Sequence, residues 1–379
     1  MALDLSKFIF IDNHAHSILR DHSTLDQFGL RQCFTESRSK EIIEQHVPHT
    51  LHYMDMLSKL GSIIGASDEI GVIDKRITMQ HPMYMRMLWD SVSIGALIVD
   101  DGFASEKMIS NLELSEACQR PVYRCRRIET VLEQCLPKAE TFDDLEALFL
   151  QSLFDTTDGA VVALKSILAY RGGLDMSGDV RVFQAEFDFT DAKAEFEAGK
   201  TRIERRPLYE YLLIQALEAA GDYDIPVQLH IGLGDDDALI PQANPALLQP
   251  LLKLPWMQRT KFVLLHCYPY VREAAMLCSL YANVFMDLSL SVNLISPQAS
   301  QMILEALSIA PTTKLLAGTD GHSCPETHWY AAMRWKMGLQ SALNQLIMDG
   351  MLNPDQANEI AAQILHGNSK TLYRLEGLA

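Results

Sequence analysis

The chain contains no CxxC pair; its seven cysteines, at 33, 118, 125, 135, 267, 278 and 324, are scattered and odd in number. That pattern argues against a disulfide framework and against a cysteine zinc site. Basic residues are in deficit, with 32 Lys and Arg against 49 Asp and Glu and a formal net charge of −17. So acidic a chain repels phosphate backbones and anionic lipid, which sets aside nucleic-acid and membrane partners and leaves a small-molecule substrate. No apolar run reaches the roughly 18 residues that span a bilayer. The opening MALDLSKFIFIDNHAH lacks the basic stretch and long apolar run of a signal peptide, so the expected location is the cytoplasm. Repeats, low-complexity tracts and long Gly/Ser/Pro linkers are missing, and nothing marks a domain boundary. What remains is 379 residues, 48% hydrophobic and 21% charged, which we read as one large domain over 1–379.

Short apolar runs alternate with longer helical patterns, the signal of βα units and a parallel sheet. Eight runs qualify as strands: 8–14, 93–101, 122–129, 159–166, 225–230, 261–266, 282–288 and 313–320. Several are continuous apolar stretches, as strands buried on both faces require. The third is the weakest, because three arginines interrupt VYRCRRIE. Eight strands in this alternation favour a closed (β/α)₈ TIM barrel of the α/β class over an open sheet. Helices are expected at 206–223 and 297–310, and one or two more in the tail PDQANEIAAQILHGNSKTLYRL. Residues 17–92 separate the first two strands and read mostly as helix, with EIIEQHVPHTLHYMDMLSKLGSII the longest pattern. Such a long connection is uncommon unless functional, and we expect a helical cap insertion over the barrel mouth.

Polar residues with metal-binding side chains stand where the strands end: His14 and His16, Lys165, His230, His266 and Asp320. In a barrel these ends converge on one face, where barrel enzymes keep their active sites. Two imidazoles two residues apart on a strand point the same way and can grip one ion. HxH alone is weak in a chain with 12 histidines, and a single buried histidine is more often a satisfied core residue. Two further strand-end histidines shift the balance toward metal. Asp320, in LLAGTDGHS, can bind an ion and exchange a proton; its ordinary alternative is a helix cap. Lys165 follows an apolar run and is expensive to bury as a cation. It either snorkels to a partner or becomes a neutral amine that takes up carbon dioxide as a carbamate. Arg171, in AYRGG, can hold a carboxylate, or form a rim salt bridge. Tyr268 and His322 are candidate substrate contacts, each with a packing or capping alternative. Asp100, Asp101, His81 and Arg20 are weaker candidates.

The order HxH, Lys, His, His, Asp on successive strands resembles the amidohydrolase superfamily in its binuclear, carboxylated-lysine form. More narrowly, IDNHAH, LKSILAYRGGL, VQLHIGLGDDD, VLLHCYPYVREAAML, ANVFMDLSL and LAGTDGHSCPETHW are similar to the FluG/nodulin-type amidohydrolase domain, over about residue 8 to the run LHGNSKTLY. The resemblance implies the barrel fold. It also implies two divalent ions, zinc above all, with manganese or iron suited to the same N/O donors. His14, His16 and Asp320 would hold the more buried ion and His230 and His266 the second, with carboxylated Lys165 bridging both. The implied activity is cleavage of a C–N bond, amide or amidine-like, by metal-activated hydroxide, with Asp320 moving the proton. In some proteins that domain is fused to a glutamine-synthetase-like one, which makes a carboxylate-bearing substrate such as a γ-glutamyl amide attractive. The alternatives are a metal-dependent decarboxylase or other lyase on the same barrel, a sugar-acid isomerase, and a metal-binding protein without catalysis. Homo-oligomers are compatible with this fold, and no motif specifies one.

Overall fold

The computed structural model describes residues 3–375 except 104–106, 158 and 177. Eight parallel strands follow one another in chain order around a single sheet. They are β1 (Phe10–Ala15), β2 (Ile94–Asp100), β3 (Val122–Arg127), β4 (Val161–Ser166), β5 (Val227–Ile231), β6 (Phe262–His266), β7 (Val284–Asp287) and β8 (Leu315–Leu316). All eight lie where the apolar runs predict them. The last is reduced to two ladder residues, because the chain beyond it turns to pair with β1. Asn13 N–H donates to Ala317 O at 2.9 Å and Asp320 N–H to His14 O at 2.8 Å, which draws the two edges together. The α/β assignment and the (β/α)₈ barrel therefore hold.

Two apolar layers form the interior. Ile11, Ala96, Ile98, Cys125, Ala163, Val263, Leu265 and Leu316 fill the barrel, and Leu372, Tyr373 and Leu375 from the tail join them. The opposite faces of the strands pack on the surrounding helices, such as Pro207–Asp222, which buries Leu208, Leu212, Leu213 and Leu217. Both faces of each strand are therefore dry, which is why the sequence shows runs rather than alternation.

The weak third strand is real. Cys125 faces the barrel interior, so by two-residue alternation Arg127 does as well, while Arg124 and Arg126 face the other way. Arg124 pairs with Asp101 and Arg126 donates to Ser152 O.

In 17–92 the long helical pattern is broken at Pro48. A wide turn Ile42–His46 and a tight turn Val47–His49 precede the helix Leu51–Ile64. Proline lacks an N–H and clashes with the preceding turn, so a continuous helix is excluded there. The helices Glu69–Thr78 and His81–Ser91 pack on the 24-residue helix Pro325–Met348. Arg76 donates to Glu326 Oε1 at 2.6 Å, Tyr84 OH to the same oxygen at 2.8 Å, and Trp89 Nε1 to Pro325 O at 3.1 Å. No helix among the described residues is long and apolar enough to cross a membrane.

Candidate metal centre

Backbone irregularities, as much as strand alternation, bring the polar residues to one mouth. Ile11 and His14 both face inward although three residues apart. A register shift between Asp12 and Ala15 supplies the extra residue. Lys165 shares the inward parity of Ala163, and His230 that of Gln228. On β6, Val263 and Leu265 face inward, so plain alternation would send His266 outward. His266 and Cys267 instead adopt left-handed backbone, with φ of 68° and 60°. Asp287 Oδ1 accepts the His266 N–H at 2.8 Å and Ser291 Oγ donates to its carbonyl at 2.7 Å. Asp320 is also left-handed, at φ 51°. Such conformations cost free energy and persist where the surroundings over-determine them, typically at functional sites.

The side chains meet at Asp320. Its Oδ1 lies 3.1 Å from His14 Nε2 and 3.2 Å from His16 Nε2, and its Oδ2 lies 3.8 Å from His266 Nδ1. Lys165 Nζ is 3.4 Å from His14 Nε2. The His230 ring sits 4.5 Å from that of His266 and 4.4 Å from that of Tyr170. All six strand-end residues line one cavity of about 850 Å³. Among the described residues, three groupings bring three donor atoms close enough for one ion: His14, His266 and Asp320; His14, His16 and Asp100; and the more exposed Asp235, Asp236 and Asp237. Among the described residues, Asp320 Oδ1 and His230 Nε2 are buried with no hydrogen-bond partner. Buried polar atoms rarely stay orphaned, so these two call for an electrophile. The nitrogen and oxygen donors suit a divalent transition ion.

A second layer holds these donors. His14 Nδ1 is 2.8 Å from Gln228 Oε1, and Gln228 Nε2 donates to Asn13 O at 2.8 Å and to Tyr373 OH at 3.0 Å. His266 Nδ1 is 2.8 Å from Ser289 Oγ. His328 Nε2 is 3.1 Å from His16 O. Asp100, buried at the end of β2, accepts from Arg127 at 2.6 Å and lies 3.9 Å from His16 Nδ1.

Electrostatics follow from burial. Burial pushes the His14 imidazole down to about 4, and those of His230 and His266 well below the ordinary range. It lowers the Lys165 amine as well, against the pull of Asp100 and Asp320. Burial alone would raise Asp320, but His266 and His14 overcome it and hold the carboxyl well below the usual carboxylate range. The imidazoles of His14, His230 and His266 are therefore kept neutral around an ionised carboxylate, the protonation pattern that metal ligation needs.

The remaining candidates divide. Arg171 and His322 line the cavity. Arg171 is also tied to Glu133 at 3.0 Å, the rim salt bridge considered as its alternative, while its Nε–H is buried without a partner. Tyr268 does not line the cavity; it packs at the edge of the core, the chain leaving the strand end through the left-handed backbone of His266 and Cys267. Asp101 is taken by Arg124, Arg20 pairs with Glu113 at the surface, and His81 stacks on His22. Cavity residues that sequence reasoning missed are Glu36, Arg38, Arg127, Tyr170, Arg202, Asp235 and Asp237. For Arg127, the signal was an arginine at the inward parity of a strand end.

Comparison with known proteins agrees with this geometry. An amidohydrolase family model matches residues 193–375. Protein fluG of Emericella nidulans is 30% identical over 405 residues, covering 96% of this chain; the chain spans 45% of that relative's length. A Lactobacillus casei protein, provisionally assigned as a metal-dependent hydrolase, superposes with a TM-score of 0.88 at 28% identity over 99% of this chain and 98% of its own. A uronate isomerase of Bacillus halodurans superposes with a TM-score of 0.67 at 13% identity over 98% of this chain and 94% of its own, a likeness of fold alone.

Proposed function

The chain belongs to the amidohydrolase superfamily of metal-dependent enzymes, and from that premise we propose that it hydrolyses a C–N bond, amide or amidine-like, of a small carboxylate-bearing substrate such as a γ-glutamyl amide. The observation that carries this reading is the convergence on Asp320 of His14, His16 and His266, with Lys165 beside His14. In this reading His14, His16 and Asp320 would hold one divalent ion and His230 and His266 a second, with Lys165, as its carbamate, an additional anionic donor beside His14. Zinc fits the donors, as do manganese and iron. When bound, such ions supply Lewis-acid polarisation of the scissile group and lower the pKa of water.

The chain's own residues do the rest. Lys165, buried and shifted toward the neutral amine, forms an N–C bond to carbon dioxide and releases one proton. The product is an anion, which offsets part of the cationic charge at the site. Asp320 Oδ1, free of hydrogen bonds, takes the proton of the attacking water and passes it to the leaving nitrogen. Arg171 offers its unpartnered Nε–H to the substrate carboxylate, and His322 stands on the same cavity wall. Asp100 holds Arg127 at the mouth.

The test is turnover of an amide panel by zinc-loaded protein in ¹⁸O water. One ¹⁸O should enter the carboxylate product, and chelation should stop the reaction. Asp320→Asn, with metal content measured, should lower kcat by about 10²–10⁴-fold. Near-normal turnover by metal-replete Asp320→Asn removes the proton role. Loss of carbon dioxide, or aldose–ketose conversion without water incorporation, removes hydrolysis.

A further inference from the structure

Glu36 lies after the helix Gln27–Gln32, within the segment 17–92. Its run is fixed by side-chain turns: Thr35 Oγ1 accepts the Ser37 N–H and Ser37 Oγ accepts the Ser39 N–H, each at 3.1 Å. Glu36 lines both the large cavity and a smaller one of about 260 Å³ beside it. Among the described residues, no hydrogen bond or ion pair reaches its carboxyl. It also stands outside every grouping that could hold an ion.

The rim acids of this cavity are answered: Arg38 lies 2.7 Å from Asp235 and 3.3 Å from Asp237, and Arg202 lies 2.7 Å from Asp237, while Asp320 belongs to the candidate metal centre. Glu36 has burial and the like charges of Asp320 and Asp235 around it, relieved only in part by Arg38, and its carboxyl is pushed up to about 8. A carboxyl in that setting gains most from a cation delivered by the ligand. Arg171 supplies the complement: its buried Nε–H has no partner and its side chain lines the same cavity.

We propose that Glu36 is a specificity-determining residue that receives an ammonium group of the substrate, so that with Arg171 on a carboxylate the cavity selects dipolar amino-acid amides over their des-amino counterparts. The assignment rests on the hydrolase reading for the use of the cavity. It goes beyond that reading in naming the second charged group of the substrate and the residue that meets it.

L-Glutamate and glutarate are suitable probes, because they share chain length and carboxylates and differ in the ammonium. Both are titrated calorimetrically into zinc-loaded wild type and Glu36→Gln. Wild type should bind glutamate about 10–100-fold more tightly than glutarate, the range of one charge-assisted hydrogen bond. Glu36→Gln should lose that ratio with glutarate affinity unchanged, and Glu36→Lys should invert it. Circular dichroism checks that each variant is folded. A wild-type ratio near one, no binding of glutamate, or a ratio retained in Glu36→Gln overturns the proposal. The two readings fail separately: an idle amide panel with the ratio intact removes the hydrolase reading alone, and turnover without the ratio removes Glu36 alone.

Discussion

Gln228 is the polar residue that β5 carries inside the barrel before His230, and its cost there is offset by its position. Its amide oxygen faces His14 Nδ1 at 2.8 Å, while its amide nitrogen donates to Asn13 O and Tyr373 OH. The two donor bonds fix which way the amide points, and the amide then fixes His14 Nδ1 as the protonated nitrogen. Nε2 is left as a lone pair facing Asp320. Partners of this kind set the tautomer and basicity of a metal-ligating imidazole. Gln228→Leu should keep the volume of the site but free the ring. Zinc affinity, measured by competition with a chromogenic chelator, is expected to fall about 10–100-fold, with an unchanged far-UV spectrum. Unaltered affinity would show that His14 is oriented by packing alone. Tyr373→Phe removes only the tail's end of this relay and should give a smaller loss in the same direction.

Between elements, the junction of 17–92 with the helix Pro325–Met348 is organised by one ion pair whose two partners are fully buried, Arg76 and Glu326. Removing one member leaves an uncompensated charge, at a cost of about 3–5 kcal/mol. Arg76→Met should therefore lower the urea midpoint far more than the double replacement Arg76→Met with Glu326→Leu. Burial alone would raise the Glu326 carboxyl, but Arg76 overcomes it and holds it at about 2, below its ordinary 4.5. A depressed carboxyl stabilises the fold fully above the unfolded value and loses that contribution as pH falls through the folded one. The window therefore runs from about 4.5 down to about 2. Urea unfolding of wild type minus that of Glu326→Gln should shrink across this window; a difference independent of pH would mean the pair is not ionised as described. This junction also shows what the sequence conveyed. The helical character of 17–92 was legible, but neither its break at Pro48 nor the pairing of residues 250 positions apart was. The eight strands were legible because strands dry on both faces read as apolar runs. His14, Lys165 and His266 followed from strand-end position, but the left-handed backbone through which His266 reaches the cavity is announced by no pattern. Arg127 was one of three arginines in the run read as the weakest strand, and nothing singled it out as a cavity residue. Glu36 lies on a turn, where periodicity carries no information.

For the whole molecule, the donors at the mouth come from β1, β4, β5, β6 and the end of β8, so an ion held there ties the first strand to the last. Unfolding separates them all. Binding confined to the native state stabilises by RT ln(1 + [L]/Kd), about 2.7 kcal/mol at a free-ion concentration of 100 Kd. Zinc-loaded protein should therefore melt several degrees above the chelated form, with the increment growing as the logarithm of free zinc. The acidity of the chain supplies a competing explanation. A net charge of −17 attracts any dication to the surface, and screening of that repulsion also raises the melting temperature. Calcium separates the two effects. It screens as well as zinc does, but it is a hard ion that takes oxygen ligands, and this site is dominated by imidazoles. Equal increments from the two ions at equal activity would assign the effect to surface charge. An increment with zinc that calcium fails to give, and that His230→Ala reduces, would assign it to the mouth of the barrel.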